Sequence, residues 1–162
     1  MIRCPVPATA ALVLLLSACQ PAPPQLPTGT LAELESGYAP FAGCVQDALS
    51  TRQDFDGQLP RMIVDAGIAP TLQDTQRRYL GSAADVASLD ADATLRATQQ
   101  SLMALSAFGA GGRDGSDTPS IAGRRAMVRV EVMQLVATAT GLSCAPSDSL
   151  IRAMEKAKDE YF

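Results

Sequence analysis

From residue 30 onward, turn-forming Gly, Pro, Ser and Asp divide the chain into about six stretches whose apolar residues recur at helical spacing, and that period commits it to helices packed on one another. Thr30 and Glu33 stand at the spacing of a capping box, so a helix begins there. Pro40 is expected to break or kink it before Phe41, Cys44, Val45, Ala48 and Leu49 line one face. A loop over 53–57 leads to a short apolar helix over 59–66, with Pro60 in its first turn and Gly67 at its end. A third helix starts at Thr71, runs to about Ser88 and turns Leu72, Tyr79, Leu80, Ala83 and Val86 inward. A fourth starts near Asp90, carries Leu95, Leu102, Leu105 and Phe108 as its core stripe, and stops at Gly109.

The stretch 118–140 reads two ways. Val128, Val130 and Val132 alternate as in a strand, while Ile121, Val128, Val132, Leu135, Val136 and Ala139 form a helical stripe. Its length, the start signal Thr118-Pro119, the stop at Gly141 and the lack of a convincing sheet partner favour a helix. Ser147 then caps a last helix with Leu150, Ile151, Met154 and Tyr161 facing inward. The expected fold is all-α, a compact bundle of about five to six helices, and a composition rich in Ala and without Trp suits their close packing.

Ahead of the bundle, the chain has the parts of an export signal: Arg3 near the start, an apolar run over 8–18, and small residues before Cys19. The run is roughly half of the ~20 apolar residues that cross a bilayer. Leu16-Ser17-Ala18-Cys19 resembles the lipobox of bacterial lipoproteins. The resemblance implies that Cys19 receives a diacylglyceryl group on sulfur, that residues 1–18 are removed, and that the new amino terminus is acylated. Each buried methylene contributes about 0.8 kcal/mol, so two or three acyl chains hold firmly where one holds marginally. Residues 19–29 are then a lipidated Cys and a tether in which Pro21, Pro23, Pro24 and Pro27 favour extended backbone, with roughly 30 Å of reach at about 3.1 Å per residue. Residues 30–162 form a single domain. In lipoproteins of this kind an Asp directly after the lipidated Cys commonly retains the protein at the inner membrane; Gln20 stands there, so the resemblance implies the periplasmic face of the outer membrane.

With Cys4 removed and Cys19 lipidated, Cys44 and Cys144 remain in an oxidising compartment and are expected to form a disulfide. The alternative is two separate thiols, which the apolar face carrying Cys44 would accommodate. They lack the Cys-x-x-Cys spacing of a redox pair, and no histidine is available to activate a thiolate.

The missing histidine removes Ser/His/Asp and Cys/His machinery altogether. Asp54 and Asp56, Asp90 and Asp92, and Asp114 and Asp117 read as turn and cap residues rather than a catalytic carboxylate pair. The stretch 109–117 is rich in Gly but lacks both the lysine of a phosphate loop and the acidic order of a calcium loop, so it is expected to be a linker and a fair place for partner contact. Arg77-Arg78 and Arg124-Arg125 are expected on solvated faces paired with acids, and Tyr38 and Tyr79 at the core boundary. No enzyme, cofactor or metal site is expected. Loss of residues 1–18 leaves 144 residues with 12 basic and 17 acidic side chains, a balance that argues against nucleic acid and against attraction to anionic headgroups. Two functions remain. The first is a non-catalytic envelope lipoprotein that binds another envelope protein in an accessory or pilot-like role. The second is a carrier of a small or lipidic ligand, with Met62, Met103, Met127, Met133 and Met154 lining an adaptable interior.

Overall fold

Wherever a capping residue precedes an apolar stripe, a helix forms. The computed structural model describes residues 29–111 and 117–162; among them there are six helices and no strand. The helices are α1 (Gly29–Leu49), α2 (Phe55–Asp65), α3 (Ala69–Leu80), α4 (Ala91–Ala110), α5 (Pro119–Ala139) and α6 (Asp148–Tyr161), with a single 3-10 turn, Val86–Ser88, between α3 and α4. Three starts are held by side-chain caps. Asp90 accepts from the Ala93 amide at 2.7 Å, Thr118 from Ile121 at 3.3 Å and Ser147 from Leu150 at 3.3 Å, each satisfying an amide with no partner inside its own helix.

The stretch that read two ways is α5, and it is the centre of the bundle. It packs against α1, α2, α3, α4 and α6, and it buries Met127, Val128, Val130, Leu135 and Val136 around most of its circumference. A helix covered on nearly every side carries no clean apolar stripe, which is why its valines also alternated like a strand. Ile121 sits at its exposed beginning, and Gly141, at φ 64°, ends it.

Several boundaries differ from the sequence reading. α1 passes through Pro40 without a break: Pro40 and Ser36, whose carbonyl loses its amide partner, are both exposed, so water can take the place of the missing hydrogen bond. Glu33 reaches across to Lys156 on α6 at 3.2 Å. α2 begins at Phe55 rather than Leu59, placing Gly57 and Pro60 inside the helix after Asp54, which adopts a left-handed backbone at φ 54°. α3 stops at Leu80 because Gly81 takes φ 85°, leaving Ala83 and Val86 only half-buried beyond it. Gly109 lies within α4 and does not end it. A Cβ there would stand 3.0 Å from Arg129 Cγ and 3.1 Å from Val128 Cγ1, so the glycine lets α4 approach α5 closely. Ile151, assigned inward, is 41 % exposed.

Cys44 is likewise exposed, because the inward face of α1 runs through Leu34, Phe41 and Val45. Its sulfur lies at bonding distance from that of half-buried Cys144, with the two Cα atoms 5.9 Å apart, which ties the C-terminal part of α1 to the segment before α6.

Between α3 and α4 the packing is polar. Ser101 bonds to Gln76, and Gln73 is 1 % exposed with neither amide atom hydrogen-bonded among the described residues. An orphaned buried polar group costs about 1–3 kcal/mol. Gln73→Leu, of similar volume, is therefore expected to raise stability by about 1–3 kcal/mol in equilibrium urea unfolding. A loss of stability would mean that the amide is satisfied.

Candidate functional site

The charged residues of α5 organise the two sites on the bundle, and all of them project from one short helical run. Gly109 and Gly111 in α4 and just past it let the backbone lie against Arg125; a Cβ at Gly111 would fall 2.1 Å from Arg125 Nη1. Arg125 donates to the Phe108 carbonyl, lies 4.9 Å over the Phe108 ring, and stands 2.9 Å from Asp117 through Nε. That ion pair is close but poorly aligned, leaving Arg125 Nε and Asp117 Oδ2 buried without a hydrogen bond. One turn on, Arg129 pairs with Glu35 and lies 5.6 Å over the Tyr38 ring, its Nε likewise unpartnered. Together Glu35, Asp117, Arg125 and Arg129 line an open recess of about 350 Å³ between α1, α4 and α5. Each guanidinium stands over a ring and is offset by one carboxylate, so the recess is polar, preformed and near neutral.

On the other side of α5, Glu131 is 9 % exposed. Its carboxylate accepts two bonds from Arg78 Nη1, at 3.1 and 3.2 Å, and one from the Tyr79 hydroxyl at 3.1 Å. Arg78 also reaches Asp74 at 3.2 Å. The Tyr79 ring meets the Phe162 ring edge-on at 5.3 Å, and Arg124 lies 4.8 Å over the opposite partner of that pair, Phe162. A buried carboxylate satisfied three ways ties α3 to α5.

Burial raises the hydroxyl pKa of Tyr79 far above its ordinary value, with the Glu131 charge and hydrogen bond adding to it. Burial also raises Tyr38, against the lowering effect of Arg129, and it raises Tyr161 together with Glu160. These are all three tyrosines of the chain. Each stays protonated in the fold above the unfolded value of about 10, so their contribution to stability is intact below that pH and is lost as pH rises beyond it. In an alkaline titration, tyrosinate absorbance should therefore rise together with loss of the helical circular dichroism. Tyrosinate forming at about pH 10 in a fully helical protein would contradict the burial.

The residues named from sequence are scattered rather than gathered. Cys19, the tether as far as residue 28, and Asp114 lie outside the described residues, while Gly29, expected in the tether, is the first residue of α1. Asp90 is a cap, Asp92 and Asp56 sit in first turns, and Asp54 is an exposed residue at a helix start. Arg77 pairs with Asp74 at 3.2 Å as expected of a solvated face, whereas Arg78 turns to the buried Glu131. Among the described residues no group of three His, Cys, Asp or Glu is placed to hold a metal ion. Glu35 and Arg129 carry no sequence signal of a site, and Glu131 is marked only as a lone acid within the valines of 128–132.

The fold and its sites define an all-α six-helix bundle with a near-neutral charged recess. Comparison of the chain with protein-family models, curated protein sequences and solved structures finds no match. No helix among the described residues is long and apolar enough to cross a membrane.

Proposed function

We propose that the chain is a lipid-anchored protein of the bacterial envelope, held through Cys19 at the periplasmic face of the outer membrane, whose helical domain binds another envelope protein without catalysis. The observation that carries this is the joining of a lipobox-like Leu16-Ser17-Ala18-Cys19 and a Pro-rich tether to a helical bundle with two open, charged recesses, the one between α1, α4 and α5 and another between α1 and α6 lined by Glu33, Arg152 and Lys156. A surface of that kind suits exchange of polar contacts with a protein. The carrier reading has less behind it: Met127 and Met154 are ordinary core residues, Met103 is 66 % exposed, and neither recess is lined by methionine.

The test is affinity isolation of the full-length protein from crosslinked native envelopes, with Cys19→Ser as control. One reproducible envelope protein, recovered with the parent and lost in the control, is the expected result. Recovery of the protein alone contradicts partner binding.

A further inference from the structure

We propose that the end of the bundle where the tether enters rests directly on the phospholipid surface, with Phe162 and Ile121 in the headgroup region and Arg124 facing lipid phosphate. This rests on the anchor reading of Cys19.

The placement follows from helix register. α1 and α6 run antiparallel: Gly37 backs onto Leu150, where a Cβ would stand 3.0 Å from Leu150 Cβ, and Glu33 meets Lys156 one turn earlier in α1. One further turn back brings Gly29, the first residue of α1, level with the end of α6 at Tyr161. α5 begins at the same end, because a Cβ at Gly123 would fall 2.3 Å from the Tyr161 ring, and Arg124 Nε donates to the Tyr161 carbonyl at 2.9 Å. Nine residues, 20–28, separate Cys19 from Gly29, so an anchor on Cys19 attaches at this end of the bundle and leaves it within the tether's reach of the membrane.

What that end presents fits a lipid surface. Four large apolar side chains are notably exposed among the described residues, and Phe162, at 52 %, and Ile121, at 38 %, are both here. Phe162 packs edge-to-face with the Tyr79 ring and lies under the Arg124 guanidinium, with half of it left open. Ile121 lies one turn before Arg124 on α5, so the two share one face of that helix, while the Arg124 guanidinium lies over the Phe162 ring. Arg124 has no carboxylate partner among the described residues, leaving donors for phosphate oxygens. An aromatic ring, an aliphatic side chain and a guanidinium side by side are the combination that settles at a membrane interface. Asp159 and Glu160 stand exposed at the end of α6, so general attraction to anionic lipid does not drive the contact and zwitterionic lipid suffices.

The chain contains no Trp, so a single substitution makes a unique fluorophore. The lipidated full-length protein carrying Phe162→Trp, Ile121→Trp or Met103→Trp is reconstituted into phosphatidylcholine vesicles with brominated acyl chains. Met103, on α4 and six residues from Gly109 toward the far end, is the control. Emission from the first two variants is expected to shift to the blue and to be largely quenched, while the Met103→Trp variant keeps its emission. Equal emission from all three, with acylated Cys19 confirmed by mass, overturns the inference and leaves the anchor intact. A Cys19 without lipid overturns both.

Discussion

Replacing Cys44 and Cys144 together by Ser is expected to lower stability by about 4–5 kcal/mol, the loop-closure entropy that a bond between residues 100 apart removes from the unfolded chain. Cys44 is exposed and Cys144 half-buried, so the substitution opens no cavity and strands no buried polar group. The effect therefore resides in the unfolded ensemble. The bond matters for this fold because it joins α1, first in the bundle, to the segment between α5 and α6, and so holds three helices that pack on one another. Urea unfolding of the parent, the parent under reductant and the double variant should give one high value and two matching low ones. A parent whose stability is unchanged by reductant, with free thiols found by non-reducing mass analysis, would remove the crosslink.

Leu105→Ala is expected to cost about 2–5 kcal/mol, from lost burial and from the void left behind. Leu105 is fully buried in α4, the helix that packs closely on α5 through Gly109. Met103, two residues earlier, is 66 % exposed, and Met103→Ala should change stability by no more than about 0.5 kcal/mol. The pair separates side-chain size from position, since both remove a large apolar group from one helix. Similar losses in both variants, measured with unchanged urea dependence, would mean that α4 is not packed as described.

The helices themselves were legible because their signals are local. Asp90, Thr118 and Ser147 each mark a start that caps confirm, and Gly67 and Gly141 each mark a stop with a left-handed backbone. What local signals miss is tertiary. Gly109 looked like a stop and is a contact glycine, and the two roles differ only in whether another helix lies alongside. Pro40 looked like a break, but a proline on the exposed side of a long helix is tolerated when its neighbours bury enough to hold the turn. The stop at Gly81 is hidden in the sequence because the apolar period continues beyond it to Val86. The sites were less legible still. Arg129, Glu35 and Tyr38 meet from helices 94 residues apart, and no spacing rule in a single sequence joins them. Glu131 gains meaning only once α3 brings Arg78 and Tyr79 to it.

The decisive measurement is the intact mass and N-terminal peptide of the protein extracted from native envelope membranes. A chain that begins at Cys19, carrying acyl chains on both its sulfur and its amino group, is the predicted result. A chain that retains residues 1–18, or one that begins at Cys19 with a free thiol, contradicts the anchor and with it the placement of the bundle at the membrane.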